Sequence, residues 1–304
     1  MASMGVAAPP NGGAKPAGGR YEVGERPPGR FTALIFSDPG TGKTHLISTT
    51  PVDTLVVSCD VSGAETLEKG DLVAAKNARG VHIWVEEAHN DKEAFGILSK
   101  AKNEVDNAIR KGEPLPFQMI VLDGLCALED AIASDLVAQG GAYVQNNRPE
   151  MLSQGGWGAL GARHLRVRRA ALSIPRVHII FTALERARGD EDTKVMVTDT
   201  ALGGQQGRRY KADVSNVMHL EARKTPDGIQ TFLVFDRTPT LAVKARRDDL
   251  LGRGAIRADL GVIMQKLGYI GADGKSIEGG DAGTAPSVEP TSEEDKVVIS
   301  GGKA

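Results

Sequence analysis

Six residues, Phe31-Thr32-Ala33-Leu34-Ile35-Phe36, run without a spacer into Ser37-Asp38-Pro39-Gly40-Thr41-Gly42-Lys43-Thr44. That junction restricts the chain to a narrow set of folds. The six are short, apolar and closed by a Gly/Pro turn, which is the pattern of a parallel strand buried on both faces. A helix is predicted from His45 to Thr50, stopped by Pro51. A strand-to-helix turn of this composition suits a phosphate. Gly40 and Gly42 let the backbone approach closely, and N–H groups at the helix start point at the anion. Lys43 reaches the β/γ oxygens, and the Thr44 hydroxyl is a magnesium ligand. The implied ligand is a nucleoside triphosphate, ATP ahead of GTP, with Mg2+, held by Ser37, Asp38, Pro39, Gly40, Thr41, Gly42, Lys43, Thr44 and His45.

Further strands are predicted at Thr54 to Cys59, ending on Asp60, at Val81 to Val85, at Met119 to Asp123 and at Val177 to Thr182. Helical spacing fills 91–111, Leu125 to Ala138 and Trp157 to Leu172. This alternation predicts an α/β fold with a mainly parallel sheet covered by helices on both faces. After 183 the runs shorten and alternate, around 194–198, 216–221, 230–236 and 240–244, and read as antiparallel hairpins added to one edge. A Gly- and Gln-rich stretch at 139–156 interrupts the pattern.

Three regions are expected: a tail at 1–29 rich in Gly, Pro and Ala, an ATPase domain at 30–270, and an acidic tail at 271–304. No apolar run spans a bilayer and no signal-peptide core is present, so a cytoplasmic protein without a membrane partner is expected. Cys59 and Cys126 read as reduced and buried. The six histidines lack ligand spacing, so no structural metal is expected. A net charge of −2 excludes a protein held on nucleic acid by bulk electrostatics. Any such contact has to be a local patch.

Asp123, closing a strand, is the candidate second magnesium group, pointing into the crevice at the carboxyl ends of the strands. The competing reading makes it a cap for the helix near Leu125. Hydrolysis also needs a group that orients or deprotonates water. Asp60 is the first candidate and Glu65 the reserve, because Gly124 follows Asp123 and no Asp-Glu pair is present. Thr182, polar at a strand end, is the candidate γ-phosphate sensor.

Taken together, the turn from Phe36 to Thr44, the strand ending in an acid, Ile120-Val121-Leu122-Asp123, Trp157 opening a helix, and Ile179-Ile180-Phe181-Thr182-Ala183 resemble phage-encoded RecA-like nucleotide-binding proteins. Some members of that family are single-strand annealing or recombination ATPases. The resemblance covers roughly 30–250, and it departs from the family pattern at Ser37, usually Gly, and at Asp60, where many relatives carry Glu, one methylene longer. It implies a RecA-like P-loop fold and a homo-oligomer, ring or filament, in which a Lys-x-Arg from the adjacent subunit completes each ATP site. Lys244 and Arg246 match that element. It also implies single-stranded DNA as a partner, with a single-strand-binding protein alongside. DNA contacts would fall in 139–148 and among Arg186, Arg188, Gln205, Gln206, Arg208, Arg209 and Lys211, with Tyr143 or Tyr210 stacking a base. Arg163, Arg166, Arg168 and Arg169 form a basic helix that reads as a solvated face. An ATP-dependent switch or assembly factor acting on protein partners is the alternative. A small-molecule kinase fits less well, for want of an Arg-rich lid.

Overall fold

The computed structural model describes residues 29–271 except 190–195, 227, 236–237, 239 and 246–253. Apart from Gly29 and Gly271, both expected tails lie outside the described residues, as does Arg246. Those described belong to a compact unit, Pro28–Glu278.

The strands are β1 (Thr32–Ser37), β2 (Thr54–Ser58), β3 (Ile83–Glu87), β4 (Met119–Asp123), β5 (Val144–Gln145), β6 (Arg148–Leu152), β7 (His178–Gly189), β8 (Met196–Thr200), β9 (Asn216–Thr225), β10 (Gly228–Val234) and β11 (Ala255–Arg257). The helices are α1 (Lys43–Ile47), α2 (Val61–Leu67), α3 (Gly70–Arg79), α4 (Asp91–Lys111), α5 (Leu125–Gln139), α6 (Gln154–Leu172), α7 (Gln206–Asp213) and α8 (Leu260–Lys266).

One sheet runs in the order β11-β10-β9-β1-β7-β4-β2-β3, with β8 on β7. The strands from β9 to β3 are parallel, and β10 and β11 are antiparallel at one edge. Period-two alternation divides β1 between two cores. Leu34 and Phe36 join Leu98, Leu128, Val167 and Tyr210 under α4–α7, while Ala33 and Ile35 join Leu46, Ile47, Ile263 and Met264 of α1 and α8. Burial on both faces explains the unbroken apolar runs that made these strands legible.

Helix α4 shows how local sequence sets an element. Asn90 accepts from the N–H groups of Lys92 and Glu93, and Glu93 reaches back to the N–H of His89, a reciprocal capping box. Ala94, Leu98, Ala101, Val105 and Ala108 form its buried stripe, and Gly112 ends it.

Two placements differ from the sequence reading. The run at 216–221 does form an edge hairpin, β9 antiparallel to β10, but β9 is its inner strand and also lies parallel to β1, Ala33 opposite Asn216 and Phe36 opposite His219. The run at 194–198 contributes to β8, which pairs with the far end of β7. Both β7 and β9 thus outrun β1, and the chain turns into the phosphate loop in the notch between them. The stretch at 139–156 also holds a short hairpin, β5–β6, packed on the start of α6.

That packing depends on Gly156, where a Cβ would lie 2.2 Å from the Tyr143 carbonyl oxygen. Gly156→Ala is expected to destabilise the protein by about 1–3 kcal/mol, the usual cost of overpacking. Chemical denaturation of the two proteins measures it. Equal midpoints and slopes would mean that the hairpin does not press on α6.

Candidate nucleotide and magnesium site

The loop after β1 has the geometry its residues require. Gly42, preceding α1, sits at φ 99°, in the left-handed region that favours glycine. Lys43 folds back over the loop, and its Nζ donates to the Ser37 carbonyl at 3.2 Å, Ser37 Oγ at 2.9 Å and the Asp38 carbonyl at 3.0 Å. Ser37 therefore does more than replace a glycine, because its buried hydroxyl helps to aim the lysine. Burial lowers the Lys43 pKa, and the charges of Asp123, Cys126, Glu185 and Asp38 oppose that shift. Asp38, Pro39, Gly40 and His45 are exposed around the rim.

Asp123, at the end of β4, is 4% exposed and faces α1. The Thr44 hydroxyl donates to its Oδ2 at 3.1 Å, and the Thr182 hydroxyl donates to its Oδ1 at 2.5 Å. The cap reading of Asp123 fails, since the N-cap of α5 is Gly124, without a side-chain cap bond. Burial pushes the Asp123 carboxyl above its usual pKa, against the pull of Thr182, Thr44 and Lys43. A hard cation between Thr44 and Asp123 would relieve that cost. Among the described residues no cluster of three or more His, Cys, Asp or Glu could hold a metal. Two oxygen donors suit Mg2+, which keeps waters and substrate phosphates as its other ligands.

Thr182, expected to meet the γ-phosphate, is buried with its hydroxyl committed, donating to Asp123 and accepting from the Gly124 N–H at 2.9 Å. Asp60 is exposed at the end of the β2 segment. A Cβ built on Gly63 would lie 3.2 Å from Asp123 Oδ2 and 3.8 Å from Asp60 Cβ, so Asp60 stands on the Asp123 side of the loop. Glu65 is exposed on α2. Lys244 is half-buried, and its backbone pairs with Val217 on the outer side of β9.

Sequence reasoning missed Glu185 and His219. Their side chains meet at 2.5 Å, 34 residues apart in the chain, beside the phosphate loop. The polar strand end past Thr182 was the available signal, and nothing local pointed to the histidine.

The expected DNA-contact residues separate into two groups. Tyr210 is fully buried, edge-on to Phe181 and hydrogen-bonded to His164 Nδ1 at 3.2 Å, so it is a core residue with no face for a base. Gln206 is buried too, and Lys211 pairs with Asp199 at 2.7 Å. The α6 arginines are not a uniform solvated face: Arg168 is buried against Asp213, and Arg163 bridges Asp91 and Asp135. Arg166 covers the Phe95 ring. Arg186, Gln205, Arg208, Arg209 and Arg148 are exposed, and Tyr143 is half-buried. The Arg188 side chain lies outside what is described.

A parallel sheet carrying a glycine-turned phosphate loop, with a carboxylate on a nearby strand, defines a P-loop nucleotide-binding protein. The family model described as an AAA domain matches residues 30–247. The chain belongs to that AAA-domain family, whose members are nucleotide-binding ATPases. No protein of curated function matches the chain. Among the described residues no helix is long and apolar enough to cross a membrane.

Proposed function

We propose that this chain hydrolyses ATP with Mg2+ and works as an oligomer on single-stranded DNA, in recombination, annealing or replication of the phage type. The convergence of Lys43, Thr44 and Asp123 carries the ATP part of this reading. Lys43 binds the β/γ oxygens, and Thr44 and Asp123 hold the magnesium, which neutralises charge on the phosphates. Thr182 fixes the rotamer of Asp123 and acts as its positioning residue.

The DNA part is supported by the exposed Arg186 toward the end of β7 and Arg208 and Arg209 of α7, beside Gln205, together with the RecA-like resemblance. Guanidinium and amide groups suit phosphate contacts without base readout. Lys244 and Arg246 are proposed to act on a neighbour's ATP. Lys244 lies two strands from β1, level with Leu34, three residues short of Ser37. At ~3.3 Å per residue and ~4.8 Å per strand, it stands roughly 14 Å from its own loop, beyond a lysine's reach. A cation from the next subunit would stabilise transition-state charge and tie turnover to assembly.

The alternative is an ATP-driven switch that acts on a protein partner. One assay separates the two. Phosphate release is expected to rise about tenfold or more with single-stranded DNA, and specific activity to climb with protein concentration until assembly saturates. Turnover indifferent to DNA would leave the protein-partner reading. Turnover per molecule independent of concentration would remove the shared site.

A further inference from the structure

β1 stops at Ser37, opposite Leu184, while β7 continues. Glu185 is therefore the first β7 residue that β1 no longer covers, at the height where the chain has turned into the phosphate loop. On the other flank of β1, His219 of β9 stands opposite Phe36, with ring centroids 5.2 Å apart. His219 Nε2 lies 2.5 Å from Glu185 Oε2, so the pair ties β7 to β9 across the end of β1. Both side chains are largely enclosed, 17% exposed for Glu185 and 12% for His219. The Glu185 charge is among those that raise the Lys43 pKa, which puts it in electrostatic reach of that ammonium. Enclosing a carboxylate costs desolvation, and one held beside the lysine of a phosphate loop is positioned for chemistry.

We propose that Glu185, held by His219, accepts the proton of the water that attacks the γ-phosphate. The inference rests on the ATPase reading above. The water oxygen bonds to Pγ as one of its protons passes to Glu185. The bond from Pγ to the β–γ bridging oxygen breaks, and that oxygen keeps the electron pair on ADP. Inorganic phosphate leaves, and Glu185 returns the proton to solvent. His219 is a positioning residue: it donates from Nε2 to the carboxylate, while its Nδ1 faces Glu221 at 3.9 Å. Asp60, the sequence-based candidate for this step, is exposed, and its charge acts on Asp123 as a repulsion. That places it on the Asp123 side of the loop.

The test uses the full chain, with fluorescent ATP-analogue titration, steady-state phosphate release at saturating ATP, and thermal melting. Glu185→Gln keeps the shape and the hydrogen bond but removes the base. It is expected to bind nucleotide within about threefold of wild type and to lose about 100-fold or more in kcat, the usual share of general-base catalysis. His219→Ala should lose about tenfold, His219→Gln should recover most of that loss, and the double variant Glu185→Gln/His219→Ala should be no slower than Glu185→Gln alone. A merely structural histidine would instead give additive losses that follow the melting temperature. If Glu185→Gln does not fold, Glu185→Asp, with its carboxylate one methylene short, should still cost about tenfold in kcat.

A wild-type rate in folded Glu185→Gln or Glu185→Asp overturns the proposal. So does a loss of 100-fold in Asp60→Asn while Glu185→Gln stays active, which would make Asp60 the base. A wild-type chain that releases no phosphate is a different result, because it overturns the ATPase reading itself.

Discussion

Lys43→Ala is expected to weaken binding of a non-hydrolysable ATP analogue by about 10- to 100-fold, with the fold intact. A charge-assisted hydrogen bond contributes about 1.5–3 kcal/mol, and each 1.4 kcal/mol is tenfold in affinity. In the free protein the ammonium rests on the Ser37 carbonyl, Ser37 Oγ and the Asp38 carbonyl. It is thus already aimed at the loop interior when the phosphates arrive, and little entropy is spent in ordering it. The acceptors it leaves behind are neutral: the Asp38 carbonyl is exposed to water, and the buried Ser37 hydroxyl still donates to that carbonyl. Isothermal titration measures the affinity and circular dichroism the fold. Unchanged affinity would overturn the phosphate site.

Asp123→Asn is expected to lower magnesium-dependent turnover by at least about tenfold, equivalent to about 1.4 kcal/mol in the barrier. Its melting temperature should be equal to or above that of the wild type. The two effects have one cause. Burial raises the Asp123 pKa, so the ionised carboxylate is costly in the folded protein until a cation arrives. Asn has no charge to bury; its single oxygen accepts from one of the two threonine hydroxyls and its amide donates to the other, which favours the fold and disfavours the metal. Turnover per folded molecule, titrated with Mg2+, is the measurement. A lowered melting temperature with unaffected turnover would make Asp123 a structural residue.

The phosphate loop, the strand ending in Asp123 and helix α4 were legible because each is specified by neighbours in the chain. A buried strand shows as an apolar run, a tight turn as glycine and proline, and a helix as a 3.6-residue stripe between caps. The helix after the loop was placed two residues late and three too long: Lys43 and Thr44 belong to α1, which ends at Ile47. The Gly- and Gln-rich stretch concealed β5–β6, where two short strands carry no apolar alternation.

The sequence by itself determined a phosphate loop, a carboxylate at the end of a buried strand, and an α/β order of elements. Tertiary structure decided which strand lies beside which, and with that every contact between distant residues. Tyr210 and Arg168 carry polar atoms that a linear reading assigns to solvent or nucleic acid, yet α6 and α7 close over them. His219 belongs to a run that reads as part of an edge hairpin, and it does pair with β10, but parallel pairing with β1 on its other side carries it to Glu185. Apolar patterning reports which face of an element is buried. It carries no information on the partner strand, because any β-strand offers the same backbone hydrogen bonds, and the choice is made only when the whole sheet assembles.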